Sequence, residues 1–133
     1  MSDEPTVVIL LEGESRIHRP GDTLAGEYWI ESIDAEQVKA IEASVLWHTE
    51  GKGDEDMAVH EFWRRHADQG PFDSRHPQRF STVLPNSPLS YDGQIVKLRW
   101  CVRVRALLHR GKDIVSEKAF RLGDVPPAKL HGD

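Results

Sequence analysis

The chain has 133 residues, a length that suits one compact domain and leaves no room for two full-sized hydrophobic cores. Hydrophobic residues make up 38% and charged residues 29%, with a net charge of −5, which excludes gross disorder and any overall attraction to nucleic acid. The single cysteine, Cys101, excludes an intramolecular disulfide framework and a multi-cysteine zinc site.

The N-terminal segment lacks the basic region of a signal peptide. Its apolar run, Val7–Leu11, is too short for a signal peptide or a membrane span. We therefore expect a cytoplasmic protein without a membrane span.

Short segments of alternating apolar and polar residues recur along the chain, separated by Gly, Pro, Asn and Asp. They predict seven strands, over residues 6–13, 23–33, 36–51, 57–67, 78–85, 96–109 and 114–123. The connections include turns at 18–22 and 109–113, an acidic tip at 51–56 and a loop at 68–77. Segment 36–51 begins with good helix formers, but its apolar residues recur at period two from Ile41, so we predict a strand with a bulge near Lys39–Ala40.

Seven strands without a convincing helix predict an all-β fold, an antiparallel β-sandwich, because a single sheet of this size would leave one apolar face in water. We expect one domain over residues 1–123, followed by a flexible C-terminal tail at 124–133.

Three segments resemble arrestin domains. "RPGDTLAGEYWI" (19–30) is similar to their first turn and second strand, and the spacing of Val38, Ile41 and Val45 to their third. The most specific likeness lies in segment 80–108, where the family pattern is matched by Phe80, Leu84, Pro85, Pro88, Ser90, Tyr91 and Gly93, with Trp100 at a usual aromatic position.

This resemblance covers about residues 6–123 and implies an immunoglobulin-like sandwich of about seven to nine strands. Relatives of this kind include the retromer subunit of the same fold and bacterial sporulation-control-type proteins, and many carry two sandwiches in tandem. With one sandwich, the inter-domain polar core of arrestins cannot form within this chain. Because the family consists of adaptors and scaffolds, the resemblance implies a non-enzymatic module that binds a protein partner and carries no cofactor.

The segment 96–106 predicts a strand with one apolar and one basic face. The basic face carries Lys97, Arg99, Cys101, Arg103 and Arg105, and a hairpin at 109–113 adds residues of the next strand. We expect Arg105 to face Glu117 and Cys101 to face Arg121, with Val102 opposite Phe120. Lys97, Arg99, Arg103, Arg105 and Arg121 are candidate partner-binding residues, because guanidinium groups match acidic or phosphorylated ligands. Alternatives are a solvated face neutralised by nearby acids, which we favour, and a contact between copies of the chain.

The four tryptophans form two groups. Trp47 and Trp100 belong to apolar faces and are expected in the core. Trp29 and Trp63 are either candidate partner-binding residues or sugar-stacking platforms, or they are packed by the second sheet, which is the favoured interpretation.

Signals for metal or thiol chemistry are weak. His48 and His60 flank the acidic tip, and a tight hairpin would place them opposite one another near Asp54 or Asp56. Their spacing, however, matches no compact metal signature, so we expect no metal site. Arginines beside Cys101 would favour its thiolate, but no histidine–acid pair accompanies it, and we expect an unreactive cysteine and no catalytic residue.

The sequence thus favours a protein-interaction or adaptor module, self-associating through edge strands or binding an acidic or phosphorylated partner. The alternatives are a carbohydrate- or small-ligand-binding sandwich that uses surface tryptophans and, less favoured, a small metal- or thiol-dependent enzyme.

Overall fold

The computed structural model describes residues 4–13, 16–51, 53 and 55–123, without the side chain of Ala35. The strands within these residues are β1 (Thr6–Leu11), β2 (Ile17–His18), β3 (Thr23–Glu31), β4 (Val38–Gly51), β5 (Met57–His66), β6 (Gln78–Val83), β7 (Tyr91–Asp92), β8 (Val96–Leu108) and β9 (Ile114–Leu122). Two single-turn 3₁₀ helices, Ala35–Gln37 and Ala67–Gln69, lie between strands. The predicted tail at 124–133 lies outside the described residues, as do positions 52 and 54 of the acidic tip.

The strands form two sheets. One has the order β1-β3-β6, and the other has the order β2-β9-β8-β4-β5 with β7 also paired to β8. All pairs are antiparallel except that of β2 with β9. The predicted all-β sandwich is therefore confirmed.

The core lies between the two inner faces. On β3, alternation places Leu24, Tyr28 and Ile30 inward, each at most 5% exposed. On β8, the apolar face that includes Trp100 and Val102 packs against them. Both faces agree with the period-two pattern of the sequence, because each sheet has one buried and one wet side.

The long sides of the sandwich are closed by side chains that bond to the opposite sheet. On one side the Ser116 hydroxyl of β9 donates a 2.7 Å hydrogen bond to the carbonyl oxygen of Val7 on β1. On the other side the ring nitrogen Nε2 of His60 on β5 lies 2.8 Å from the carbonyl oxygen of Val83 on β6. Both contacts join strands that are not neighbours in either sheet.

Close approach of three strands explains a glycine in the segment that resembles arrestin domains. A Cβ atom at Gly26 would overlap the carbonyl oxygen of Leu10 and lie 2.8 Å from the ring of Phe80. Any side chain here would therefore push β1 or β6 away from β3.

The expected pairing of β8 with β9 is wrong by two residues. Arg103, not Arg105, lies opposite Glu117; Cys101 faces Ala119; and Phe120 faces Trp100. The alternating pattern fixes the face of each residue but not the number of residues in the turn, and a two-residue shift keeps every face unchanged.

The predicted elements differ from the observed ones at one bulge and at two short strands. The bulge expected near Lys39–Ala40 is confirmed by a register shift between Val38 and Ala40. A second shift, opposite Val45, leaves His60 as the extra residue of β5 and was not predicted. The two-residue strands β2 and β7 were also missed, since two residues are too few to show a period.

The observed turn spans residues 19–22 and is one residue shorter than the predicted turn at 18–22. The amide of Asp22 donates to the carbonyl of Arg19 at 2.9 Å, and Gly21 has a φ of 87°. His18 instead belongs to β2 and is completely buried.

Candidate functional site

A cleft of about 330 Å³ opens where β8 and β9 separate. The two strands pair from Ala106 with Ile114 to Trp100 with Phe120. Beyond that point β7 takes the place of β9 beside β8, while the last residues of β9 pair with β2. The charged residues that line the cleft are Arg16, Asp92, Arg99 and Arg121, and its apolar wall includes Trp100 and Phe120.

Hydrogen bonds hold the segment that carries β7 in place. The amide of Ser90 donates to the carbonyl of Leu122 at 2.7 Å, and the Leu122 amide donates to the Ser90 hydroxyl at 2.8 Å. Two residues upstream, the carbonyl of Pro88 accepts a 2.8 Å bond from the indole nitrogen of Trp100. These contacts fix one wall of the cleft on residues of β8 and β9.

One carboxylate joins two arginines inside the cleft. Asp92 Oδ2 lies 3.1 Å from Arg121 Nη1, and Asp92 Oδ1 lies 3.6 Å from Arg99 Nη2. At the rim, Arg99 Nε donates to Glu50 Oε2 at 3.2 Å. Among the described residues, Arg16 adds a third guanidinium group to the cleft, whose lining contains the carboxylate of Asp92. The cleft is thus locally rich in cations in a chain of net charge −5.

The other cations of the basic face differ in whether a carboxylate pairs with them. The Arg103 Nε donates to Glu117 Oε1 at 2.8 Å, as expected for a neutralised sheet face. Lys97 and Arg105 are exposed and have no ion pair within 4.0 Å among the described residues. In register, Lys97 lies opposite Glu50 and Asp92, while Arg105 lies opposite Glu42 and Val115. Of the five predicted cations, the structure thus brings Arg99 and Arg121 together in the cleft.

Neither candidate tryptophan lines the cleft. Trp29 lies on the outer face of the three-stranded sheet, where its indole nitrogen donates to Glu31 Oε1 at 2.9 Å. Trp63 packs against the core, with its ring centroid 5.7 Å from that of Phe80. Trp100 is buried and Trp47 packs against the core at partial burial, as predicted.

The two histidines beside the acidic tip do not face one another, which corrects the expectation. His48 lies opposite Met57 on the outer face. His60 is the bulged residue and points to the inner edge, toward Thr82 and Val83. Within residues 4–13, 16–51, 53 and 55–123, no three His, Cys, Asp or Glu side chains are grouped so that they could hold a metal ion.

Cys101 lies on the basic face but is only 3% exposed, opposite the equally buried Leu46. Burial raises the pKa of its thiol to about 11, and the carboxylate of Glu117 adds to this rise, while Arg103 opposes it. The net effect is opposite to the one expected from the neighbouring arginines, and the thiol is protonated at neutral pH.

Two residues of the cleft, Arg16 and Asp92, were not among the predicted site residues. Arg16 adjoins β2, and Asp92 lies in the "SYDG" turn segment, so neither belongs to an alternating pattern. No sequence pattern points to either residue, because a single charged residue in a turn shows no period.

In the described part of the chain, no helix is long and apolar enough to cross a membrane.

Comparison with known proteins shows the fold. No family model and no curated protein matches the chain. Among solved structures it is similar to Spo0M, a sporulation control protein from Bacillus subtilis, with a TM-score of 0.64 and 14% sequence identity. The likeness covers 91% of this chain and 50% of that protein, so the chain spans about half of its length. The arrestin-like β-sandwich is therefore confirmed, and at this identity the likeness shows the fold alone.

Proposed function

We propose that the protein is an arrestin-like interaction module that binds an acidic or phosphorylated segment of a partner protein in the arginine-lined cleft. The observation that carries this proposal is the convergence of Arg16, Arg99 and Arg121 on one cleft, where two of them already share the carboxylate of Asp92. The structurally similar Spo0M is described as a sporulation control protein, a role that accords with regulation by binding.

The geometry supports an anionic ligand because the arginines act as two-pronged donors. Each guanidinium offers five N–H groups in a plane, which match a carboxylate or a phosphate group. The side chains of Arg99 and Arg121 are 41% and 33% exposed, so part of each group remains open to solvent. Ion pairs this exposed contribute only about 0–1 kcal/mol each, and a phosphate of charge near −2 competes well with Asp92.

The same chemistry supports binding over catalysis. Guanidinium groups stay protonated at physiological pH, so they attract anions without accepting or releasing protons. The apolar wall at Trp100 and Phe120 offers contact area for residues that flank the anionic group of a peptide.

Binding is tested with labelled peptides followed by fluorescence anisotropy. One peptide carries phosphoserine among acidic residues, a second has the serine unmodified, and a third carries neither phosphate nor acid. We expect the phosphopeptide to bind most tightly and its affinity to fall as salt rises to about 150 mM. In ¹⁵N–¹H spectra the largest shifts are expected at Arg16, Ser90–Asp92 and Ala119–Arg121.

A matched pair of variants separates the cleft from general attraction. Arg99→Gln removes one cleft cation and should weaken phosphopeptide binding by about tenfold. Arg79→Gln removes an exposed arginine on β6, a strand of the three-stranded sheet, which does not carry the cleft. Its Nη2 lies 3.1 Å from Glu12 Oε1, and the substitution should leave peptide binding unchanged. Equal losses in both variants, or no binding of either anionic peptide, would overturn the proposal.

A further inference from the structure

The β5 strand leaves one edge of its sheet uncovered. It is ten residues long and pairs only with β4 among the described strands. The other outer strands are shorter, since β2 has two residues and β1 and β6 have six each. The bond from His60 to β6 uses the side chain of His60 and not the backbone groups of β5. A long bare edge is a template for the addition of another strand.

The outer face of β5 is also unusually apolar. The side chains of Met57, Val59 and Phe62 are 57%, 50% and 50% exposed. They continue into the buried pair of Leu46 on β4 and Cys101 on β8, so an apolar surface runs from the sheet interior to its edge. Contiguous exposed apolar surface of this kind marks sites of protein contact.

Backbone hydrogen-bonding groups at this edge point outward. The Thr49 amide donates to the Asp56 carbonyl at 2.9 Å, which orients Asp56 toward β4. Because orientation alternates along an antiparallel ladder, the N–H and C=O groups of Met57 and Val59 point away from β4. They are therefore available to an added strand.

Charge selects an antiparallel second copy of β5 as the added strand. β5 follows the acidic residues Glu55 and Asp56 and ends near the basic residues Arg64 and Arg65. In an antiparallel pair, the acidic start of each strand lies beside the basic end of the other.

The β5 bulge makes a two-fold register consistent with the side-chain faces. Val59 lies opposite Leu46 and Phe62 opposite Ser44, so the bulge at His60 brings Val59 and Phe62 to the same outer face. A register that pairs Val59 with Phe62 of the second copy also places Asp56 beside Arg65 and Met57 beside Arg64. This register matches Val59 with Phe62 and Asp56 with Arg65, while Arg64 keeps its ion pair with Glu42 of its own chain at 3.4 Å.

We propose that two copies of the chain associate through antiparallel pairing of their β5 strands, which joins the two larger sheets into one. The arginine-lined cleft lies at the other end of this sheet, near β2 and β9. The dimer therefore leaves both clefts open and doubles the valency of the module, although the pairing does not depend on what the clefts bind.

Sedimentation velocity of the full chain over a range of concentrations tests the pairing. The wild type is expected to shift toward twice the monomer mass as concentration rises. Val59→Pro removes an N–H group that points away from β4, so it spares the β4 ladder and should raise the dimer dissociation constant at least about tenfold. Phe62→Ser should weaken the dimer, whereas its control Ile95→Ser removes an apolar side chain that is 72% exposed elsewhere and should not.

A charge exchange keeps the test decisive if the proline variant fails to fold. The double variant Glu55→Lys with Asp56→Lys, and the single variant Arg65→Glu, should each weaken self-association, because like charges then meet across the two-fold axis. Mixed in equal amounts, they should form a heterodimer that native mass spectrometry resolves by mass. A wild type that stays monomeric at every concentration, or a dimer unaffected by all of these variants, would overturn the proposal.

Discussion

The indole nitrogen of Trp100 donates a 2.8 Å hydrogen bond to the carbonyl oxygen of Pro88. This bond ties the start of the segment that carries β7 to the centre of the core, because Trp100 is only 1% exposed. Trp100 therefore has two structural roles: it fills the interior, and it fixes a wall of the candidate site.

Replacement of Trp100 by phenylalanine should lower the free energy of unfolding by about 2 kcal/mol, since it leaves the Pro88 carbonyl without its donor and removes part of a buried ring. Trp47→Phe is the matched control, because Trp47 is only partly buried and its indole makes no hydrogen bond to the described part of the chain. Urea denaturation measures both. A smaller loss for Trp100→Phe than for Trp47→Phe would contradict the prediction.

His18 predicts a loss of stability in mild acid. Its side chain is fully buried, and within the described residues neither ring nitrogen makes a hydrogen bond of regular geometry. Burial lowers its pKa below the usual 6.5; Arg16 lowers it further, while Asp22 and the Arg121 backbone oppose the shift. The unfolded chain therefore binds a proton at His18 more tightly than the folded chain does. The stability that the neutral, buried ring contributes is complete above about pH 6.5 and is lost as the pH falls through the lowered pKa.

His18→Leu isolates this contribution. The variant should be at least as stable as the wild type at pH 7.5, since no hydrogen bond of regular geometry is lost, and its stability should fall less between pH 7.5 and 5.5. Thermal or urea unfolding at several pH values measures the difference. Parallel curves for the two proteins would show that His18 does not titrate as its burial requires.

Cys101 should react slowly with thiol reagents. A rise of its pKa from 9.0 to about 11 reduces the thiolate fraction at neutral pH by about a hundredfold, and burial under the outer face adds a barrier to access. Labelling by a disulfide reagent should therefore be slow in buffer and fast in denaturant. Fast labelling of the native protein would point to an open path to the sulfur.

The sequence predicted what depends on alternation. Successive side chains of a strand point to opposite faces of its sheet, so a period of two in the sequence predicts which residues are buried. This period predicted the faces of β3 and β8, the bulge before Ile41 and the sandwich itself. The likeness of segment 80–108 to arrestin domains added the specific fold.

The sequence could not predict features that depend on turn length or on contacts between distant segments. The two-residue shift of β8 against β9 changes no face, so no pattern records it. Cys101 was placed on the wet face, yet it is buried, because Leu46 lies opposite it on β4. Asp92 joins two arginines only because β7 enters the space that β9 leaves.

In the proposed function, the arginine-lined cleft binds an anionic group in competition with Asp92. This competition is tested by the affinity of one phosphopeptide for Asp92→Asn, measured beside Arg99→Gln by fluorescence anisotropy. Because asparagine keeps the size of the side chain and removes its charge, we expect Asp92→Asn to bind the peptide about three- to tenfold more tightly than the wild type, while Arg99→Gln binds it more weakly. Unchanged or weaker binding by Asp92→Asn would show that the ligand does not compete with Asp92 for the arginines.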